Sequence, residues 1–189
     1  MVKGPTSIVH QGVSFQLGDS FLIRGTTSAA PYIGKLVEIC ESSPGDVCVQ
    51  WYYRPEETYG GRKPFHGAKE LFASDHCDGI HMTTVIGKAF VHPLKKYESL
   101  MQIKEHDYFA RFLYKASQKE FEPDRVPIYC VCEQPYNPDR PMMQCDDCES
   151  WYHPECIGRR LDGMDQGHFS CPECVLAAAA APGGWAPQH

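Results

Sequence analysis

The chain has 189 residues, 42% of them hydrophobic, and a formal net charge of -6 at pH 7. Residues 1–125 carry 15 basic and 15 acidic side chains, whereas residues 126–189 carry 3 basic and 9 acidic ones, so the C-terminal part holds the whole negative balance. No apolar run reaches the roughly 20 residues that span a bilayer, and no signal-peptide pattern is present. We therefore expect no membrane partner. We also expect a reducing compartment, the cytosol or the nucleus.

Between Phe15 and Tyr114 the chain alternates short β-branched and aromatic runs with turn residues. The runs predict strands at residues 21–24, 32–40, 47–53, 71–73, 88–92 and 108–113. Sustained helical periodicity is absent, so we expect a mainly β, barrel-like domain. The expected core consists of Leu22, Ile33, Leu36, Val37, Ile39, Val47, Val49, Phe90, Val91, Phe109 and Phe112.

One predicted strand contains three consecutive aromatic residues, Trp51, Tyr52 and Tyr53. Successive side chains of a strand point to opposite faces, so Trp51 and Tyr53 share a face and Tyr52 points away. Two aromatic side chains on one face occur in cores, and they also form two walls of a cage for a methylated ammonium, which needs a third wall. Both interpretations of this pair are open at this point.

The C-terminal part contains eight potential zinc ligands arranged as four short pairs. Each pair can supply two corners of a tetrahedral site, so four pairs make two closed structural sites and leave no ligand for catalysis. The spacing favours zinc over the alternative of buried or disulfide-bonded cysteines. We assign Cys130, Cys132, His153 and Cys156 to the first zinc ion, and Cys145, Cys148, Cys171 and Cys174 to the second. This pairing predicts a cross-braced finger with two structural zinc ions.

The charge of the finger indicates its kind of partner. Asp146, Asp147 and Glu149 form an acidic cluster, and the seven zinc-bound thiolates add negative charge beyond that of two divalent cations. Such a surface repels phosphate backbones and attracts a basic peptide. We therefore expect no direct DNA binding by the finger.

Four side chains of the finger lie beside zinc ligands or in the loop between ligand pairs: Tyr129, Tyr136, Met142 and Trp151. A rigid box of such side chains binds a quaternary ammonium by cation–π attraction and by burying its methyl groups, whereas an unmodified lysine ammonium loses its hydration there. The four residues thus predict a methyl-lysine cage. The other interpretation is that a domain this small uses its aromatic residues as core.

The segments YCVC at 129–132, PY at 135–136, CDDC at 145–148 and WYH at 151–153 resemble a plant homeodomain (PHD) finger that binds histone H3 trimethylated at lysine 4 (H3K4me3). The resemblance implies that the H3 N-terminus adds a strand against residues 142–145 and that the four residues above enclose the trimethylammonium. It also implies contacts of Met143, Gln144 and Asp146 with the H3 peptide. Among these, Asp146 would bind the peptide arginine that neighbours the trimethylated lysine.

The segments WYYRPEE at 51–57, GGR at 60–62, FHGAKELF at 65–72 and SDH at 74–76 are similar to the bromo-adjacent homology (BAH) domain of a plant family of dual histone-mark readers, which join this domain directly to a PHD finger. The resemblance implies binding of H3K27me3 by a cage of Tyr32, Trp51 and Tyr53. Possible peptide contacts are Asp75, His76 and Asp78. We expect no carboxylate inside this cage, and hence a modest preference for trimethyl-lysine over dimethyl-lysine.

The resemblance divides the chain into a BAH domain at 10–125, a PHD finger at 126–176 and a disordered tail at 177–189. It implies a nuclear reader without enzymatic activity that links H3 marks to transcriptional regulation, including repression and developmental timing, with chromatin-modifying co-regulators as further partners. Two alternatives are a zinc-finger ubiquitin ligase and a chromatin scaffold. In such ligases the lone histidine is usually the fourth zinc ligand along the chain, whereas His153 is the fifth here. The scaffold hypothesis predicts that Trp51 and Trp151 are buried on all faces.

Overall fold

The computed structural model describes residues 5–26, 30–160 and 167–180, and it divides the chain into two compact units, residues 1–125 and 126–189. In the described residues, the regular structure of the first unit is mainly β, with one α-helix, α1 (Leu94–Glu98), and two single-turn 3₁₀ helices, Pro55–Glu57 and Met82–Thr84. Its strands are β1 (Ser7–His10), β2 (Val13–Gln16), β3 (Ser20–Ile23), β4 (Tyr32–Ile39), β5 (Asp46–Tyr53), β6 (Glu70–His81), β7 (Val85–Pro93), β8 (Asp107–Lys115) and β9 (Glu120–Glu122).

Strands β3 to β9 form one sheet in the spatial order β6-β5-β4-β3-β7-β8-β9. The sheet closes on itself because β6 also pairs with β8, in parallel, with Phe72 opposite Phe112. Closure leaves fewer free sheet edges, which otherwise invite pairing with other chains. The mainly β, barrel-like architecture expected from the sequence is therefore confirmed.

All six predicted strands are present, and the largest difference concerns β6. The sequence predicts a strand only at residues 71–73, because the following residues, Asp75 to Gly79, have low β-propensity. In the structure β6 continues to His81, and its polar half pairs with β5, Cys77 opposite Gln50. Backbone pairing with a well-formed neighbour outweighs side-chain propensity here.

Most of the expected barrel core is buried. The buried clusters contain Phe15, Phe21, Ile23, Leu36, Val47, Val49, Met82 and Val85 on one side, and Leu22, Ile33, Leu71 and Ala89 on the other. The expectation is wrong for Val37 and Phe90, which are 39% and 49% exposed. Their neighbours Leu36 and Ala89 point inward, so the alternation of side chains along a strand turns Val37 and Phe90 outward.

The second unit has little sheet and a small core. Two short hairpins pair β10 (Ile128–Tyr129) with β11 (Gln134–Pro135), and β12 (Met143–Gln144) with β13 (Trp151–Tyr152). Its buried cluster consists of Cys145, Tyr152, Phe169 and Cys171, so half of this core is made of predicted zinc ligands. Such a core is too small to fold without further stabilisation.

The described part of the second unit ends in helix α2 (Pro172–Ala180). The disorder expected from residue 177 onward is wrong for residues 177–180, which continue this helix. All four are alanine, the residue with the highest helix propensity. The remainder of that expectation, residues 181–189, lies outside the described residues. No helix in the described ranges is long and apolar enough to cross a membrane.

A buried ion pair joins β6 to β8. The Glu70 side chain is fully buried, and its Oε1 accepts a hydrogen bond from Arg111 Nε at 2.7 Å. Its Oε2 accepts one from the backbone N–H of Gly67 at 2.9 Å. Burial raises the pKa of Glu70, and the Arg111 guanidinium opposes that rise. The pair lies where β6 and β8 close the barrel.

Replacing Arg111 with methionine should lower the free energy of unfolding by about 3 kcal/mol, because it leaves the Glu70 carboxylate buried without its cation. The folded state of the variant holds the Glu70 proton more tightly than the unfolded state does. The variant should therefore regain stability as the pH falls through the raised pKa of Glu70. Urea unfolding of both proteins across a pH series measures this effect.

The exposed ion pair of Lys115 and Glu122 provides a matched control. Lys115→Met removes a cation from a pair on the surface, where such pairs contribute less than about 1 kcal/mol. Equal stability of Arg111→Met and Lys115→Met at neutral pH would contradict the assigned role of the buried pair.

Candidate functional site

The eight predicted zinc ligands converge in two groups of four. The first group contains Cys130, Cys132, His153 and Cys156, and the second contains Cys145, Cys148, Cys171 and Cys174. Within each group the ligand atoms lie within 4.8 Å of one another. A tetrahedral zinc ion bound to nitrogen and sulfur at about 2.0–2.3 Å spans such distances. The finger thus places two clusters to bind two zinc ions, in the interleaved arrangement that the sequence predicts.

The first cluster fixes which imidazole nitrogen would bind metal. His153 Nδ1 lies 3.5 Å from Cys132 Sγ and 3.9 Å from Cys156 Sγ, so Nδ1 is the nitrogen turned toward the thiols. Burial lowers the pKa of His153. A lowered pKa favours the neutral imidazole, which is the form that coordinates metal.

The second cluster is surrounded by hydrogen-bond donors. The backbone N–H of Cys171 points at Cys145 Sγ at 3.2 Å, and that of Cys174 points at Cys171 Sγ at 3.4 Å. A hydrogen bond from the Tyr152 side chain lowers the pKa of the Cys171 thiol to about 6. Donors of this kind stabilise the thiolate form that zinc requires.

The four aromatic and thioether residues predicted to form a cage in the finger lie around one cavity of about 230 Å³: Tyr129, Tyr136, Met142 and Trp151. Trp151 is 42% exposed and is therefore not buried on all faces. Its neighbour on β13, Tyr152, is buried in the core, and Tyr129 precedes the zinc ligand Cys130. Core packing and metal ligation thus fix the strands that carry the two side chains.

The residues expected to contact a peptide beside this cage have roles within the finger. Met143 packs against the small core, and Gln144 Nε2 donates a hydrogen bond to a backbone oxygen at 3.0 Å. Asp146 Oδ2 accepts the backbone N–H of Phe169 at 2.6 Å. Peptide contact by these three side chains stays a prediction. In the described part of the chain the outer edge of β12 has no strand partner, so its backbone groups can pair with an incoming strand.

Tyr32, Trp51 and Tyr53 line a second cavity of about 240 Å³ on the barrel. The rings of Tyr32 and Trp51 meet edge to face at 6.1 Å, and Tyr53 stacks on His76 at 6.2 Å. Tyr32 is 38% exposed, and Trp51 and Tyr53 are half-buried. The cavity therefore presents aromatic surface to solvent, which a core does not.

Two hydrogen bonds and one ion-pair contact connect two walls of the barrel cavity. Asp78 Oδ2 accepts a hydrogen bond from Trp51 Nε1 at 2.8 Å and lies 3.0 Å from His76 Nε2. His76 Nδ1 lies 2.7 Å from the Tyr53 hydroxyl. We call Trp51, Asp78, His76 and Tyr53 the Asp78 network. Two residues predicted as peptide contacts, His76 and Asp78, thus also hold the cage.

Asp75, the third residue predicted to contact a peptide at the barrel, is engaged elsewhere. Its Oδ1 accepts the backbone N–H of Ala116 at 3.0 Å, which links β6 to the residue that follows β8. The structure thus shows a hydrogen bond of Asp75 within the barrel, and a peptide contact by Asp75 stays a prediction.

Two carboxylates lie at the barrel cavity, and whether either is close enough to hydrogen-bond the N–H of a lower methylation state stays a prediction. Glu57 and Asp78 both line the cavity. Asp78 is placed there by the polar half of β6, where it pairs with Val49. The sequence predicts a strand only to residue 73, so the strand that positions this carboxylate beside Trp51 was not foreseen.

Comparisons with known proteins match both units. The BAH domain family matches residues 13–125, and the PHD-finger family matches residues 130–174. The chain is 44% identical over 177 residues to Chromatin remodeling protein EBS of Arabidopsis thaliana, covering 92% of this chain and 73% of that protein. It is also 44% identical over 170 residues to Chromatin remodeling protein SHL of the same plant, covering 87% and 75%.

Two further similarities are more limited. The crystal structure of the yeast Rsc2 BAH domain superposes with a TM-score of 0.50 at 20% identity, over 62% of this chain and 53% of that one, and shows the fold alone. Lysine-specific demethylase 7A of Homo sapiens is 40% identical over 50 residues, which is 26% of this chain but 5% of that protein. Almost all of the demethylase therefore has no counterpart in the matched segment.

Removing zinc should unfold the finger before the barrel, because structural zinc contributes on the order of 10 kcal/mol to such small domains. Hydrogen exchange after treatment with a strong chelator is expected to show loss of protection at residues 129–174, while the barrel strands stay protected. His153→Ala should produce the same loss without a chelator, whereas His168→Ala, at an exposed histidine outside both clusters, should not. Unchanged protection after chelation would refute the metal assignment.

Proposed function

This chain belongs to the family of chromatin remodeling proteins that join a BAH domain to a PHD finger, and on this premise we propose that it reads trimethyl-lysine marks on the histone H3 tail. The PHD finger binds H3K4me3 and the BAH domain binds H3K27me3. The observation that carries the proposal is the presence of two open aromatic cavities of similar volume, one in each domain.

The aromatic cavities fit a methylated ammonium better than other ligands. An aromatic face attracts a cation and also accepts the contact of methyl groups, so the attraction survives when methylation removes the N–H groups. An unmodified lysine would lose hydration in the same place without regaining hydrogen bonds. Cavities of about 230 and 240 Å³ have room for this small head group.

The surroundings of the finger cage suit a basic, extended peptide. A groove of about 600 Å³ adjoins the cage along Tyr129 and Trp151, and Glu133, Glu149 and Glu173 lie along it. The outer edge of β12 offers backbone groups for an added strand. Affinity then comes from main-chain hydrogen bonds and charge complementarity, and selectivity comes from the cage.

The barrel cavity is supported by different features. Its three aromatic walls come from β4 and β5, and the carboxylates of Glu57 and Asp78 beside them complement the positive charge of a methylammonium. The scaffold hypothesis requires Trp51 and Trp151 to be buried on all faces, whereas Trp51 is half-buried and Trp151 is 42% exposed, which argues against it. The PHD-finger match argues against a ubiquitin ligase.

A reader of histone marks acts in the nucleus, and we infer that location for this chain. We also infer that it is not an enzyme, because the two relatives that match both domains are named chromatin remodeling proteins and because two closed sets of four ligands leave no open position on zinc for a substrate. It then acts by recruiting chromatin-modifying co-regulators to marked nucleosomes. The consequences are transcriptional, with repression and developmental timing as the expected outputs.

Trp151→Ala should weaken binding of an H3K4me3 peptide at least about fivefold, because an aromatic wall contributes about 1–2 kcal/mol or more to holding the cation. Binding of an H3K27me3 peptide should be unchanged. Calorimetry with the full chain measures both affinities. Wild-type affinity of the variant for H3K4me3 would refute the finger cage.

Trp51→Ala should give the opposite pattern, with binding of H3K27me3 lost and binding of H3K4me3 retained. Tyr59→Ala is a matched control, since Tyr59 is an exposed aromatic residue of the BAH domain outside the cavity. It should leave both affinities unchanged. The barrel assignment fails if wild-type protein binds the H3K27me3 peptide no better than the unmodified one.

A further inference from the structure

We propose that Asp78 determines the methylation-state specificity of the BAH cage, and that it makes this cage accept dimethyl-lysine about as well as trimethyl-lysine. The inference rests on the proposed function, because it requires that the barrel cavity binds methylated lysine. It concerns the carboxylate that lines the cavity beside Tyr32, Trp51 and Tyr53.

One carboxylate oxygen of Asp78 contacts residues of the barrel, and the other can accept a hydrogen bond from a ligand. Oδ2 accepts the hydrogen bond from Trp51 Nε1 at 2.8 Å and also lies 3.0 Å from His76 Nε2. In the described ranges Oδ1 accepts no hydrogen bond, and the side chain is 54% exposed. The carboxylate therefore keeps a fixed orientation at the cavity while retaining an unused acceptor.

The hydrogen bond from Trp51 and the 3.0 Å contact with His76 that orient Asp78 both come from residues that line the cavity. Trp51 is a cage wall, and His76 connects to a second wall through its 2.7 Å contact with the Tyr53 hydroxyl. Rotating the carboxylate away would break the hydrogen bond to Trp51 and the contact with His76 together. Asp78 thus stays at the cavity instead of swinging into solvent as an unpaired surface aspartate can.

Glu57, the other carboxylate at the cavity, is less available. Its Oε2 accepts the backbone N–H of Arg54 at 2.7 Å, and its Oε1 lies 3.7 Å from the guanidinium of the same residue. Both oxygens of Glu57 are therefore directed at Arg54. Of the two carboxylates, Asp78 is the one with an oxygen left for a ligand.

The chemistry of the two ligands determines what a carboxylate does. Trimethyl-lysine has no N–H, and it is held by cation–π attraction and methyl contact alone. Dimethyl-lysine has one N–H, which in an all-aromatic cage loses its water and finds no acceptor. A carboxylate oxygen at the cage restores that bond in its stronger, charge-assisted form. The gained bond offsets the lost methyl contact, so the two ligands bind with similar affinity.

The test is calorimetry on the full chain with H3 peptides centred on lysine 27. These peptides lack the N-terminal residues that include lysine 4, so they cannot bind the finger cage through that mark. Unmodified, dimethylated and trimethylated forms are compared. For wild-type protein we expect the dissociation constants of the di- and trimethylated peptides to agree within about threefold. A wild-type preference for trimethyl-lysine above about threefold overturns the inference, and this arm needs no variant.

Asp78→Asn keeps a side-chain oxygen for Trp51 Nε1 but removes the negative charge. It should raise the preference for the trimethylated peptide at least about fivefold, mainly by weakening the dimethylated one. Glu57→Gln is the matched control and should leave the ratio as in wild type. An unchanged ratio in Asp78→Asn overturns the inference.

Failure of the proposed function has a different signature. If wild-type protein binds all three peptides equally, the barrel is not a methyl-lysine reader, and both proposals fall. If both methylated peptides bind more tightly than the unmodified one but differ from each other by more than about threefold, the proposed function stands and the role of Asp78 is refuted.

Discussion

Aromatic side chains that bind a methylated ammonium have to stay exposed, so their own burial cannot hold them in place. A cage needs rigid walls, because every wall that must be ordered on binding reduces the affinity. Both domains of this chain meet that constraint by adding further interactions to packing against the core, which Trp51 makes in the barrel and Tyr152, the neighbour of Trp151, makes in the finger. Metal ligation supplies the added interactions in the finger, and the Asp78 network supplies them in the barrel.

In the finger, the ligand-bearing segments are too short to fold by burying apolar surface. Cys130 and His153 belong to the same cluster. Cys130 directly follows Tyr129 in the sequence, and His153 lies two residues after Trp151. Binding of zinc therefore fixes the backbone from which both aromatic side chains project. The same ligands add negative charge, which suits a basic peptide.

In the barrel, β6 has the corresponding role. Its first half closes the sheet against β8, where Glu70 and Arg111 form the buried ion pair. Its second half extends along β5 and brings His76 and Asp78 to the cage. One long strand thus connects the stability of the barrel to the geometry and the charge of the site.

Much of this arrangement could be predicted from the sequence, because ligand spacing and strand alternation are local signals. The zinc clusters follow from spacing alone, and the shared cavity of Trp51 and Tyr53 follows from alternation along β5. Tyr32 came only from the family resemblance, since a single aromatic residue gives no local signal. The position of the Asp78 carboxylate at the barrel cage does not follow from local signals, because Asp78 reaches Trp51 through the second half of β6, whose sequence has low β-propensity.

The measurement that tests the central claim most directly is NMR titration of the full chain, following the indole N–H signals of Trp51 and Trp151. Each indole reports on one cage, and that of Trp51 is also the donor to Asp78. An H3K27me3 peptide is predicted to shift the Trp51 signal alone, and an H3K4me3 peptide the Trp151 signal alone. Shifts of the same signal by both peptides, or of neither by either peptide, would contradict two separate methyl-lysine cages.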